Sequence, residues 1–392
     1  MVIGKIKKLI EDESVRLQCT VSYQGAERVL WYSFDKNMEC YLITEKYDGF
    51  LLAVLLLAMA KNEDIHIQGK ISETLFYNLT QYYMDIVKSM HVGFNKIRIT
   101  TEGFSNGDEY ECEGDTLTGF SGGIDSFCTI HDHRQNNVPE AFKIKKLLFN
   151  NVGANGCVDE EKSRALFLKR YKNVKKYSQE AQIDVIKIDS NLSQVLAMDF
   201  QKTHVIRNIS CVMLMQKLIA KYYYSSGYEY KDCYVGKSND MACMDPFSIH
   251  LLSTESTQSI STGCQHSRVE KTRRVAQVAF SANHLKVCVS DYGKSDKNCS
   301  KCWKCSRTLI TLDIMGKLNQ YEPVFDLQQW QSVKKWYVGG VVLNFRNRKE
   351  PLLREIRKLA ADEGYKFSTR DYVISIVACL LPLKIFQRLT KL

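Results

Sequence analysis

Proline is rare in this chain, 5 residues of 392, and glycine is modest at 21. So little of either argues against long flexible linkers and low-complexity segments. No apolar run reaches the roughly 18 residues of a membrane-spanning helix. The nearest, Val373 to Leu381, is short and runs into Pro382. It is expected to be a buried helix, with docking on a membrane surface as the alternative. The first residues, MVIGKIKKLIEDES, lack the apolar stretch and cleavage site of a signal peptide. A cytoplasmic protein is therefore expected, with its 14 cysteines free or metal-bound rather than disulfide-bonded. The Walker pattern GxxxxGK(S/T) is missing. The basic residues form no run, and there is no aromatic-interleaved RNA-binding signature.

What is present is ordinary globular material, with 45% apolar and 25% charged residues, enough to build cores. At about 100–200 residues per domain, the length suggests roughly two or three domains. The net charge of +10 suits an anionic partner such as a nucleotide, RNA or a membrane surface. It equally suits a lysine-rich protein whose charge serves solubility.

Residues 1–112 read as an α+β module. VRLQCTVSY, RVLWYSF, IHIQG and KIRIT have strand character, and LLAVLLLAMA reads as a buried helix. ISETLFYNLTQYYMDIVKSM reads as an amphipathic helix capped by Ser72, with Leu75, Leu79, Tyr82 and Ile86 on one face. The polar segment GFSNGDEYECEGD marks a boundary. From Thr116, strands alternate with helices. The expected strands are TLTGF, KKLLFNNV, DVIKID, CYVG and LKVCV; the expected helices are Ile124–His133, Asp159–Ala181, Arg207–Tyr224 and Val269–Phe280. Such alternation implies an α/β fold with a parallel sheet, which binds ligands at the carboxyl ends of its strands. Residues from about 306 onward read as helical. The expected domains are 1–112, 113–318 and 319–392.

Two motifs bear chemistry. Leu117 to Phe120 runs into Ser121-Gly122-Gly123-Ile124-Asp125-Ser126. The glycines allow a sharp turn and close backbone approach, and N–H groups at the start of the next helix favour an anion. The Ser121 and Ser126 hydroxyls add donors, and Asp125 can orient the turn or reach a magnesium ion travelling with phosphates. Further on, Cys299, Cys302 and Cys305 form CxxCxxC, with Cys288 preceding them. Four thiolates suit tetrahedral zinc, and an iron–sulfur cluster is the competitor.

The SGGxDS string resembles the phosphate loop of the PP-loop ATP pyrophosphatases, which cleave ATP to AMP and pyrophosphate. Residues 116–315 as a whole resemble the 7-cyano-7-deazaguanine synthase family. The resemblance rests on Ser121 to Ser126, on the pair Arg207-Asn208, and on Cys288, Cys299, Cys302, Cys305 and Arg307. It implies a Rossmann-like PP-loop fold, with ATP, Mg²⁺ and Zn²⁺ as cofactors. It places Ser121, Asp125 and Ser126 in catalysis, Gly122, Gly123, Arg207 and Asn208 near ATP, and Asn150 to Gly153 at the adenine. Gly236 and Lys237 offer a second turn for phosphate or substrate. Where the family reads its base with a YPDCRPE-like segment, this chain has SNDMACMDPFSIHLLSTEST. Asp245, His250 and Glu255 lie in that stretch, and His250 and His204 are candidate bases.

The expected activity is therefore an AMP-forming ligase. It adenylates a carboxylate of a deazapurine, or of a protein or other molecule joined to one, for attack by a nitrogen nucleophile. A homodimer is the family-based expectation, and a role in antiphage defence accompanies such enzymes when they have extra domains. The alternatives are a sulfur-inserting enzyme acting on RNA and a nucleotide-binding scaffold without catalysis.

Overall fold

The computed structural model describes residues 1–107, 110–154, 160–288, 297–347 and 349–381. Asp159, Val289 and Pro382, used in the sequence reading, lie outside them, as do Asp108 and Glu109 of the expected boundary. The chain divides into two compact units. The first comprises Met1–Phe120 and Asp132–Cys264, and the second Ser121–His131 and Gln265–Leu392.

The first unit is α/β, built on one sheet of 11 strands, mostly parallel. Its early strands are β1 (Val2–Ile3), β2 (Lys7–Ile10), β3 (Ser14–Tyr23), β4 (Ala26–Asp35), β5 (Ile65–Ser72) and β6 (Ile99–Ser105). The later ones are β7 (Asp115–Gly119), β8 (Lys146–Asn151), β9 (Asp184–Ser190), β10 (Ile219–Ser225) and β11 (Gln258–Thr262). The order is β11-β10-β7-β8-β9-β4-β3-β1-β5-β6, with β2 also on β3. The five later strands are parallel to one another. Counted in chain order, they run in the doubly wound pattern that reverses between the first strand, β7, and the fourth, β10. The carboxyl ends of β7 and β10 therefore flank the position where such sheets hold ligands.

The residues explain the elements. β3 alternates, with Val15, Leu17, Cys19 and Val21 buried and their neighbours less so, as a pleated strand with one core face requires. Leu147, Leu148 and Phe149 in β8 are all buried, as expected for a central parallel strand. The helix Asp48–Lys61 buries every residue from Asp48 to Met59, so its apolar composition all round is that of a core helix. It ends at Asn62 in the left-handed region, φ 52°.

The boundary expected near residue 112 falls inside this unit. β4 pairs antiparallel with β9, Tyr32 opposite Ser190 and Phe34 opposite Ile188. A buried network ties the same segments. Asp48 accepts from the Ser72 hydroxyl (2.6 Å), the Ser72 N–H (2.8 Å) and Gln216 Nε2 (2.8 Å). Lys46 Nζ donates to Ser72 Oγ and Gln216 Oε1, both at 3.1 Å. Lys46 and Asp48 are wholly buried. Burial pushes the Asp48 carboxyl up, against the pull of Lys46. Ser72 does stand at the start of the helix Glu73–Asn78, but its hydroxyl serves Asp48 and makes no cap bond.

Other local expectations are corrected. A π-helical turn, Leu79–Tyr83, interrupts the amphipathic helix. The extra residue rotates the buried face from Tyr82 and Ile86 to Tyr83, Val87 and Met90. The helix expected from Arg207 to Tyr224 spans only His204–Val212, because the aromatic run Tyr222-Tyr223-Tyr224 belongs to β10. Cys233 to Gly236 forms no strand, and neither do Leu285 to Cys288. The outer parallel strand is instead β11, whose polar sequence QSIST carries no strand signature.

The second unit is mainly helical, as expected from about residue 306. Its principal helices are Arg268–Val275, Trp303–Ile314, Leu327–Tyr337, Pro351–Asp362 and Thr369–Leu380. The last contains the Val373 segment, a helix as expected but not a buried one: Ile374 and Ala378 are buried, whereas Val373, Ile376, Val377 and Leu380 are exposed. No helix among the described residues is long and apolar enough to cross a membrane.

Lys46→Met should remove the cation from the buried network while leaving Asp48 in place. Urea unfolding should then show a loss of about 3–5 kcal/mol, far more than a surface lysine substitution gives.

Candidate functional site

β7 ends at Gly119, and the chain passes into the turn Ser121–Ser126, which belongs to the second unit. Gly122 has φ +73°, and a Cβ there would lie 3.3 Å from the His284 carbonyl, so the position favours glycine on both counts. Its carbonyl accepts from the Lys286 N–H at 2.7 Å. The Gly123 N–H donates to Ser121 Oγ at 3.3 Å, and Ser126 Oγ donates to the Gly123 carbonyl at 3.1 Å. The Phe127 N–H reaches the same carbonyl at 3.0 Å, opening the helix. Both serine hydroxyls thus stiffen the turn, Ser121 exposed and Ser126 buried.

Asp125 is held by two cations from the helix Arg268–Val275. Arg268 Nη1 lies 2.9 Å from its carboxylate and Lys271 Nζ 3.1 Å. The Lys271 side chain is 1% exposed. Burial alone would raise the Asp125 carboxyl, but Arg268 and Lys271 hold it below the ordinary aspartate value of 3.8. Two further cations stand on the first turns of the helix Trp303–Ile314. Arg307 lies 5.0 Å and Lys304 5.4 Å from the Trp303 ring centre. Among the described residues, neither has a hydrogen-bonded or ionic partner. Burial, then the neighbouring Arg268, pushes the Arg307 guanidinium down to about 10. Burial, Arg307 and Arg268 lower Lys304 likewise. Two cations therefore pair with Asp125, and Lys304 and Arg307 stand close enough to Arg268 to be weakened by it, a clustering of positive charge that an anion would relieve.

The four cysteines come together in the same unit. The sulfurs of Cys288, Cys299, Cys302 and Cys305 all lie within 4.8 Å of one another, so the cluster can hold a metal ion. Cys299 and Cys305 sulfurs are 3.9 Å apart, and the Cys302 N–H points at Cys299 Sγ at 3.3 Å. Neighbouring thiols at Cys288 and Cys302, with burial, push the Cys305 thiol up. Asn298 welds the site. Its Oδ1 accepts from Val287 N (2.9 Å) and Cys288 N (3.0 Å), and its Nδ2 donates to the Leu285 and Val324 carbonyls, both at 2.9 Å.

In the first unit, Arg207 is 1% exposed and its donors are spent on Thr203 Oγ1, Ser193 Oγ and the carbonyls of Val152 and Met198. Gly153 has φ +123°, and a Cβ there would come within 2.7 Å of Arg207 Nη1. The pair therefore locks the turn after β8. Asn150 Nδ2 donates to Asn208 Oδ1 at 3.2 Å, and Asn208 Nδ2 to the His204 carbonyl at 2.7 Å. Gly236 and Lys237 lie in an irregular segment, Lys237 exposed. Glu255 accepts from Thr74 N at 2.7 Å, which gives it a helix-start role. Asp245 is buried and His250 exposed.

Sequence reading missed Arg268, Lys271 and Lys304 as site cations. The i, i+3 spacing of Arg268 and Lys271 places them on one helical face, but nothing local marks that face as turned to Asp125. Comparison with protein-family models, curated proteins and solved structures returned no match.

Asp125→Asn should destabilise the protein by about 1–3 kcal/mol at neutral pH, since a charge-assisted pair is lost. Because the native carboxyl is depressed, this contribution is complete above the ordinary value of 3.8 and is lost as pH falls below it. Denaturation of parent and variant at neutral and at acid pH should show the difference shrinking with acid.

Proposed function

We propose that the chain is an ATP-dependent, AMP- and pyrophosphate-forming ligase of the PP-loop class. The observation behind this reading is the Gly122-Gly123 turn whose Asp125 is paired with Arg268 and Lys271, with Lys304 and Arg307 within electrostatic reach of Arg268. A triphosphate is the anion that suits several cations and a glycine turn at the start of a helix together. An acceptor carboxylate oxygen attacks the α-phosphorus, forming an acyl-adenylate and releasing pyrophosphate. A nitrogen nucleophile then adds to the activated carbonyl, loses a proton and expels AMP, leaving an amide. Arg307 and Lys304 offset the charge that builds on the departing pyrophosphate. Mg²⁺ arrives with the nucleotide.

The four cysteines are assigned to Zn²⁺. Sulfurs around tetrahedral zinc stand about 3.8 Å apart for a Zn–S bond of about 2.3 Å, against 3.9 Å between Cys299 and Cys305. An iron–sulfur cluster places several atoms between its thiolates and needs a wider cage. Four protein ligands leave no open position, so the ion is structural. It holds Cys302 at the start of the helix that presents Lys304 and Arg307.

The deciding assay mixes protein, Mg-ATP, ammonium and 7-carboxy-7-deazaguanine and quantifies AMP and product mass. Acceptor-dependent AMP with an amide or nitrile mass is expected. Arg307→Gln should weaken ATP binding by about tenfold or more; unchanged affinity would remove the cation cluster from the argument. Metal analysis should find zinc, lost in Cys299→Ser. Iron with labile sulfide would overturn the zinc assignment and favour sulfur insertion.

A further inference from the structure

The helix Thr369–Leu380 of the second unit is apolar on two sides and packed on one. Its buried side is Ile374 and Ala378, against Trp336 and Leu381. Gly339 lets the backbones meet there, since a Cβ at that position would lie 2.6 Å from the Asp371 carbonyl and 2.7 Å from Ile374 Cβ. This close contact fixes which way the helix faces. Tyr372, Val373, Ile376, Val377 and Leu380 recur at the spacing of one helical stripe on the other side. They are exposed, from 46% at Val377 to 78% at Leu380. An all-apolar helix belongs in a core, so a contiguous apolar stripe left in water marks a surface that meets something else.

The rim of the stripe is basic. Lys366 and Arg370 are exposed at the start of the helix, and Arg370 shares a helical face with Val373 and Val377. At the other end Arg346 is exposed, and its Nη1 and Nη2 donate to the carbonyls of Leu381 (2.8 Å) and Cys379 (2.6 Å). The one acid of the helix, Asp371, is engaged at the helix start, where it accepts from the Ser368 N–H (2.9 Å) and hydroxyl (2.7 Å). In the sequence, Leu383 to Leu392 continues with apolar and basic residues and no acid. The second unit has twice as many Lys and Arg as Asp and Glu, so the positive charge of the whole chain arises there. Charge therefore selects the occupant. A second copy would bring the same basic rim against itself. An anionic lipid surface attracts the rim and takes up the stripe.

We propose that the helix Thr369–Leu380 docks the protein on an anionic bilayer surface. The helix lies in the plane of the interface and is too short to cross it. Val373, Ile376, Val377 and Leu380 enter the boundary between headgroups and acyl chains, and Tyr372 keeps its hydroxyl at the wet level. Arg370, Lys366 and Arg346 meet the anionic headgroups. A free phosphate could satisfy these cations but has no use for the apolar stripe, so the bilayer is the source of the anion. Attachment through one short helix is reversible and weakens with salt.

The test is co-sedimentation of the full-length protein with vesicles of phosphatidylcholine, alone or with one third phosphatidylserine. The parent should bind the anionic vesicles, bind the neutral ones far less, and release in high salt. Ile376→Asp combined with Leu380→Asp should lower binding to the anionic vesicles by about tenfold or more. Arg370→Gln should lower it by about fivefold. Ile376→Leu should leave it unchanged. All variants should keep the circular dichroism and melting temperature of the parent, as substitutions at exposed positions do. Equal binding to both kinds of vesicle, binding to neither, or binding that survives the two aspartates would overturn the proposal. A lowered melting temperature in the aspartate variant would show that other residues of this chain already cover the stripe. A dimer in light scattering that the aspartates dissociate would show that a second copy covers it. Either of these results overturns the proposal as well.

Discussion

The pairing of β4 with β9 is the constraint on which the first unit depends. β9 closes the parallel series, and without a neighbour its backbone donors and acceptors would form an open edge. β4 supplies that neighbour over Tyr32, Ser33 and Phe34. Side chains reinforce the junction: Asn191 accepts from the Trp31 N–H and donates to the Val29 carbonyl, and Ser190 donates to the Trp31 carbonyl. Tyr32, wholly buried, reaches Ser210 at 2.8 Å and so links β4 to the helix His204–Val212. The strands of the first 112 residues are therefore the completion of the later sheet rather than a separate layer.

The second unit is organised by charge. One carboxylate, Asp125, sits between Arg268 and Lys271, and burial and the charge of Arg268 lower the proton affinity of both Lys304 and Arg307. Such a concentration of positive charge is unfavourable when partly desolvated. The cysteine cluster, which could hold a metal ion, stands at the start of the Trp303 helix that carries Lys304 and Arg307.

Much was legible in the sequence because the signals were local. The SGGxDS turn, the CxxCxxC spacing, the buried helix Asp48–Lys61 and strands β3, β4, β7, β8 and β9 follow from glycine freedom, thiolate geometry and apolar periodicity. Local signals failed where local preference and tertiary packing disagreed. The tyrosine run of β10 was absorbed into a helix because its neighbours favour one, and polar QSIST became β11 because β10 offered a free edge. The π-helical turn at Leu79–Tyr83 moved a helix face by one residue, which no periodicity foretells.

The sequence by itself determined which chemistry-bearing residues the chain owns: a glycine turn with Ser121, Asp125 and Ser126, four closely spaced cysteines, and an Arg-Asn pair. Only the tertiary structure decided what each faces. It turned Arg207 inward to lock Gly153, brought Arg268 and Lys271 to Asp125 across more than a hundred residues, and set His204 between Tyr224 and Asp240. The physical reason is range. Turn geometry and metal-ligand spacing are settled within a few bonds, whereas charge pairing and side-chain hydrogen-bond networks depend on packing between elements far apart in the chain.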